Sequence, residues 1–253
     1  MQENPLPRII CLGLLLTSSL VSTAAHAQVT PTAEIEDYYE YKRANNEGIG
    51  KLYMDREISH VMGHRGAAWL ERPDRQQEER TDLLIENLPI GPGDRVADIG
   101  AGTGYFSLPM ARMVGATGTV YAVDIQPEML AMIEARADRE GKTNIELVLA
   151  TETDPGLTRE SIDMALFVDA YHEFEWPREV MSAIYESLVP GGKVVLIEYR
   201  AEDRSVAIRK LHKMTERQAR KEMQAAGFVF VENPDFLPQQ HFLIFAKPGV
   251  EAN

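Results

Sequence analysis

The residues of this chain with the strongest claim to chemistry sit in a few short stretches. The first is Asp98-Ile99-Gly100-Ala101-Gly102-Thr103-Gly104: an apolar run ends in an acid and three alternating glycines. A helical apolar pattern (Phe106, Leu108, Met110, Met113) follows it. That order predicts a strand, a tight turn and a helix N-terminus, where backbone N–H groups and the positive end of the helix dipole face a ligand. Glycine in such a turn permits positive φ and clears the Cβ from a ligand's path. The second is Asp124-Ile125, twenty residues beyond Gly104. An acid ending a strand there accepts hydrogen bonds from the two hydroxyls of a ribose, and an apolar neighbour packs on the base. The third is Phe167-Val168-Asp169-Ala170-Tyr171-His172-Glu173-Phe174-Glu175-Trp176-Pro177, dense in ionisable and aromatic side chains. It follows the fourth predicted strand, and ligands of open α/β sheets bind at the carboxyl ends of strands.

The glycine spacing separates ligand classes. A dinucleotide fingerprint needs G-x-G-x-x-G; counted from Gly100 its third glycine falls on Tyr105, and counted from Gly102 on Ser107. A nicotinamide oxidoreductase is therefore a poor reading. The acid and alternating glycines instead resemble motif I of the class I S-adenosylmethionine (SAM)-dependent methyltransferases. The resemblance runs from about residue 76 to 248, and is nearest to the ubiquinone/menaquinone-biosynthesis-like group, the type 11 methyltransferase domain. Asp124 and the run Leu188-Val189-Pro190-Gly191-Gly192-Lys193 carry it as well. It implies SAM as cofactor, bound by Asp98, Gly100, Ala101, Gly102, Gly104, Asp124 and Ile125. Methyltransferases of this type often place an acid against adenine after the third strand; Thr151 stands at that position here, which leaves Glu152 as the candidate, with a plain loop acid the alternative. Asp169 is expected near the methionine moiety, and His172 or Glu173 as the base for the acceptor. A sheet-end cover of aromatics with solvated charges explains the same loop.

Positioning these residues takes alternating strands and helices, the pattern of a parallel sheet. Strands are predicted at 95–99, 119–124, 145–150, 162–168 and 193–199, and helices at 126–140 and 178–188. Thr215-x-x-Gln218 reads as a capping box for a further helix ending at Gly227. Two β-rich runs, 228–232 and 241–246, then form an antiparallel hairpin. The expected fold is α/β: a Rossmann-like, seven-stranded class I methyltransferase sheet with an N-terminal helical extension and a C-terminal antiparallel hairpin. The extension covers residues 28–90 and the SAM-dependent domain 91–250. Within the extension, a helix is expected over 76–87, and Val61–Trp69 reads either as a lid or as a helix–helix joint. As a lid, it would join the 169–176 loop in an acceptor pocket lined by Trp69, Tyr171, Phe174 and Trp176, with Arg65 among its polar groups. His60-x-x-x-His64 has metal-ligand spacing on a helix, but Gly63 interrupts it and no acid or third histidine is near in sequence, so no metal is expected. His212 and His241 read as structural.

Residues 1–27 pair Arg8 with an apolar run, Ile9 to Val21, and end in Ala25-His26-Ala27. This predicts a secretory signal peptide cleaved after Ala27 and an exported, periplasmic protein, with a membrane anchor as the alternative. Cys11, the single cysteine, leaves with the signal, so no disulfide is expected in the mature chain. A net charge of −13 disfavours nucleic acid and anionic membrane surfaces. The expected partner is a small-molecule acceptor, and oligomeric state is not legible. SAM is made in the cytosol, so export sets a conflict. It keeps alive a second class of function: an exported SAM- or nucleoside-binding protein with this fold and no turnover.

Overall fold

The computed structural model describes Met1 and residues 38–249; the expected signal peptide and its cleavage site lie outside the described residues. Everything below belongs to the compact unit of residues 36–253.

The centre is a seven-stranded sheet. Its strands are β4 (Arg95–Ile99), β5 (Thr119–Asp124), β6 (Ile145–Leu149), β7 (Ile162–Val168), β8 (Leu188–Tyr199), β9 (Val229–Glu232) and β10 (Gln240–Ala246), in the order β6-β5-β4-β7-β8-β10-β9. The first five are parallel; β10 runs antiparallel to β8, and β9 antiparallel to β10. Because side chains alternate across a strand, the central strands feed two cores. Ala97, Ile99, Ala165, Phe167, Val194 and Leu196 point to one face, where α6 (Pro177–Ser187) and α7 (Glu216–Ala225) cover them. Val96, Met164, Leu166, Val195 and Ile197 point to the other, under α4 (Ser107–Val114) and α3 (Thr81–Glu86). Burial of each large apolar side chain contributes about 1.5–3 kcal/mol, and one-residue slippage would exchange the two faces of a strand. α5 (Pro127–Arg139) completes the layers, with Pro127 in its first turn, where a missing N–H costs nothing.

The N-terminal extension departs from expectation. Residues 39–59 form a three-stranded antiparallel sheet, β1 (Tyr39–Tyr41), β2 (Gly48–Tyr53) and β3 (Arg56–Ser59), where helix had been expected. Tyr53 pairs with Arg56 across a two-residue turn. Met54 and Asp55 both take positive φ there (51° and 74°), the geometry that matches the twist of a hairpin. Asn-Gly would have announced that turn; Met-Asp does not. Helices appear only further on, as α1 (Ala67–Leu70), α2 (Arg75–Glu79) and α3. The single helix expected over 76–87 is broken at Arg80, whose φ is 54°. The capping box is half realised: Thr215 Oγ1 accepts from Gln218 N at 3.0 Å. The Gln218 amide turns instead to Met54 O and to Glu222 Oε1, joining α7 to the β2–β3 turn. Among the described residues no helix is long and apolar enough to cross a membrane.

Candidate active site

The carboxyl ends of β4, β5, β7 and β8 converge on one cavity of about 710 Å³. At its floor the β4–α4 turn holds Gly100, Gly102 and Gly104 at φ of 72°, 56° and 78°. A Cβ on Gly100 would lie 2.8 Å from the Ala170 methyl, and one on Gly102 2.6 Å from Leu70. Glycine is thus required for backbone conformation and for close packing together. Asp124, at the end of β5, holds the turn in place: Oδ2 accepts from Gly102 N and Oδ1 from Gln126 N, each at 2.9 Å. Burial pushes its carboxyl above the usual range, against the pull of those amides.

Of the residues expected at the cofactor, Gly100, Gly102, Asp124, Ile125, Glu152 and Asp169 line the cavity, as do His172 and Glu173. Asp98, Ala101 and Gly104 stand behind the turn. Asp98 is buried and accepts from Ser107 Oγ at 2.5 Å, tying β4 to the start of α4. Burial, opposed by the Ser107 hydrogen bond and reinforced by the charge of Asp124, pushes its carboxyl up to about 6. Ala101 packs with Leu130 and Ile133 of α5, and Gly104 lies against Leu108 and Ile133. Ile125 is 40% exposed at the cavity edge, an apolar platform.

Asp169 closes β7 with a φ of 50°, a conformation that L residues rarely take. Its Oδ2 accepts from Gln240 Nε2 at 2.6 Å, while Oδ1 is buried with no partner. Burial, with Glu79 and Glu198 nearby, raises its pKa well above the ordinary value. Beneath it, Tyr199 donates to Glu79 Oε1 at 2.7 Å, and Arg75 holds the other Glu79 oxygen at 3.0 Å. Burial pushes Glu79 up, but Arg75, Tyr199 and Arg72 together keep it below the carboxylate range.

The 3-10 turn Tyr171–Glu173 forms the polar end. His172 is buried; Glu198, fully enclosed on β8, takes its Nδ1 at 2.6 Å and its backbone N–H at 3.2 Å. Burial works against charge on the imidazole, yet Glu198, helped by Glu173, raises the His172 pKa. His172 Nε2 meets His212 Nδ1 at 3.1 Å. Glu173 Oε1 lies 3.6 Å from His212 Nδ1 and 3.9 Å from His172 Nε2, while its Oε2 accepts from Met62 N at 3.0 Å.

The N-terminal sheet fixes this turn from behind. Arg56 of β3 binds both oxygens of Glu222 on α7, at 2.7 and 2.8 Å, and donates to His172 O at 3.1 Å. Tyr171 OH donates to Glu222 Oε2 at 2.8 Å. Tyr171 therefore belongs to the core, not to the pocket lining. Trp176 is also drawn away, capped by the Lys51 ammonium 2.8 Å from its ring centroid. Burial lowers the Lys51 pKa to about 8. Trp69 and Phe174 do line the cavity.

Residues 61–64 form a strap whose Val61 and Met62 line the cavity. Gln126 clamps it, accepting from His64 N at 2.7 Å and donating to Met62 O at 3.0 Å. Of the segment Val61–Trp69, Val61, Met62 and Trp69 line the cavity, while residues 64–70 form a 3-10 turn and a short helix, and Arg65 is exposed and makes no ion pair among the described residues. His64 opens the 3-10 turn His64–Gly66 and His60 precedes it, so the two share no helix and their spacing loses its meaning. His241 is structural, held between Asn233 and Glu202. His212, read as structural, is at the site. Glu198, His212, Arg56 and Glu222 were not legible as site residues; only Glu198, an acid inside an otherwise apolar strand, carried a signal.

Residues 96–192 match a family model described as a methyltransferase domain. Among curated proteins, the chain is 30% identical over 122 residues to a cobalt-precorrin-6B C(15)-methyltransferase (decarboxylating) of Saccharolobus solfataricus, named there as probable. That match covers 47% of this chain and 60% of the relative. It is 27% identical over 113 residues to a protein-L-isoaspartate O-methyltransferase of Methanococcus aeolicus, covering 45% and 50%. The chain thus spans less than two thirds of the length of these relatives. In structure it resembles a SAM-dependent methyltransferase from Aquifex aeolicus (TM-score 0.69, 19% identity, 74% of this chain and 100% of that one). It also resembles the [4+2]-cyclase SpnF (TM-score 0.58, 16% identity, 77% and 87%). Likeness at these identities speaks for the fold.

Proposed function

From the match of residues 96–192 to a methyltransferase domain and the likeness of the fold to a SAM-dependent methyltransferase, we propose that the chain transfers a methyl group from SAM to a small, partly apolar acceptor. The observation that carries this reading is a single cavity with a built nucleotide side and a separate polar end. The residues present fit the cofactor. The turn at Gly100 and Gly102 leaves no room for a Cβ, Asp124 faces the cavity as a hydroxyl acceptor, and Ile125 offers an apolar face to a base. The unpartnered Asp169 Oδ1 suits an ammonium, and Glu152 is the candidate for the adenine amino group. When bound, SAM supplies an electrophilic methyl group on a sulfonium.

The chain's own contribution is positioning and exclusion of water. The strap at Met62 and His64 is held by Gln126 and lends Met62 to the cavity wall. Val61, Met62, Trp69, Phe174, Ala207 and Ile208 give apolar wall, which suits a small acceptor better than a polymer. His172, Glu173 and His212 are the polar groups the acceptor would meet. Glu198 holds the His172 ring so that Nε2 faces the cavity.

Titration of the purified protein with SAM, followed by assay for S-adenosylhomocysteine with a panel of small hydroxyl, thiol and amine acceptors, tests the reading. His172→Ala should lower turnover and leave SAM affinity intact. SAM binding without turnover on any acceptor would favour the binding-protein reading. The proposal includes export. Protein recovered from the periplasm should have the intact mass of a chain starting at Gln28, and a full-length mass in membranes would mean an anchor.

A further inference from the structure

The geometry points to a divalent-cation site made by His172, Glu173 and His212 at the polar end of the cavity. His172 Nε2, His212 Nδ1 and Glu173 Oε1 are separated by 3.1, 3.6 and 3.9 Å. Ligands about 2.0–2.1 Å from a tetrahedral zinc stand about 3.3–3.4 Å apart, so these three atoms already span the edges of one coordination polyhedron. A proton shared by His172 and His212 satisfies that pair but leaves Glu173 Oε1 without a hydrogen bond, whereas a divalent cation satisfies all three atoms.

The surroundings match what metal ligands need. Ligating histidines almost always donate their other ring N–H to a carboxylate or carbonyl, which fixes the tautomer. Glu198 does this for His172 at 2.6 Å, from a fully enclosed position on β8. Glu173 is likewise oriented, its second oxygen receiving the Met62 N–H at 3.0 Å. Two of the three ligands are therefore held by groups that do not themselves face the cation. The elements converge from afar in sequence: the turn after β7, and the 3-10 turn Lys210–His212 after β8. The metal-ligand spacing legible in the sequence, His60 and His64, is not the one used.

Two imidazoles and one carboxylate favour zinc or a neighbouring first-row divalent ion over magnesium or calcium. Three protein ligands leave at least one position open, as in catalytic rather than structural sites, and here it opens on the cavity. That adds a substrate class to the methyl-transfer reading, on which this step rests: an acceptor whose nucleophile is a hydroxyl or thiol able to approach the cation.

The site is tested on the full chain, stripped of metal with chelator and titrated calorimetrically with Zn2+, and with Co2+ followed by its visible d–d bands. One equivalent should bind, with tetrahedral or five-coordinate Co2+ absorption. His212→Ala and Glu173→Gln should each weaken Zn2+ binding at least tenfold, while SAM affinity and the circular-dichroism spectrum stay unchanged. Failure of SAM binding would strike the methyl-transfer reading and leave the metal result standing. Absence of stoichiometric Zn2+ binding, native affinity in both variants, or loss of binding in His60→Ala or His241→Ala instead would overturn the site.

Discussion

At the residue scale, Asp124 and Asp98 divide tasks that their motif joins. Asp124 holds Gly102 and Gln126 through its two oxygens and still faces the cavity. Asp124→Ala should therefore weaken SAM about ten- to a hundredfold, the worth of a hydrogen-bonded charge at about 1.5–3 kcal/mol. Calorimetric titration measures it, and unchanged affinity in a folded variant would remove Asp124 from the site. Asp98 faces Ser107, with the Asp124 carboxylate and the Arg75 guanidinium as its charged neighbours. Its folded pKa of about 6 lies above the reference 3.8, so between those values the native state binds more protons than the unfolded one. Stability then falls as pH rises through that window. Asp98→Asn keeps an acceptor for Ser107 and removes the buried charge. The variant should be the more stable protein at pH 8, by up to about 3 kcal/mol, and the gap should close below about pH 4. Urea melts at the two pH values check this; a gap of the same size at both would contradict the assignment.

At the scale of elements, the small N-terminal sheet is what makes the polar end of the site rigid. Arg56 comes from β3, Glu222 from α7, and the turn they hold carries His172 and Tyr171. The pair is buried, so removing one partner strands a charge, at a cost of about 3–5 kcal/mol. Arg56→Ala should lower the denaturation midpoint accordingly and reduce turnover, since the His172 carbonyl loses its anchor, yet SAM affinity should change little. Arg56→Ala with Glu222→Gln should recover part of the stability, because no unpaired charge remains. If the double variant is less stable than the single by a further similar amount, the two residues do not act as a pair.

For the whole molecule, the cavity joins β4, β5, β7, β8, the strap and the 3-10 turn after β8, so a ligand that fills it links elements distant in sequence. A ligand that binds only the folded state stabilises it, so on the proposed reading SAM at a hundred times its dissociation constant should add about 2.7 kcal/mol to unfolding free energy. His172→Ala should keep this increment and Asp124→Ala should lose about half of it or more at the same concentration. Equal increments in both variants would place the cofactor elsewhere in the cavity.

What the chain's sequence determined by itself was whatever depends on local chemistry and period. The alternating apolar strands, the glycine turn after Ile99, the strand-end acid Asp124 and the closing β9–β10 hairpin are each legible because neighbouring residues impose them. The Met54-Asp55 turn escaped because nothing in those residue types demands positive φ; the pairing of β2 with β3 imposes it. The same holds for the site's polar end. Histidine and glutamate say nothing of their partners until the sheet order sets β8 beside β7, bringing Glu198 under His172. The turn after β8 then carries His212 to the same point. Tyr171 and Trp176 share the composition of a pocket lining, but the buried charges Glu222 and Lys51 draw them into packing instead. Tertiary structure alone decided these, because a buried polar group must be satisfied by whatever the fold places within reach.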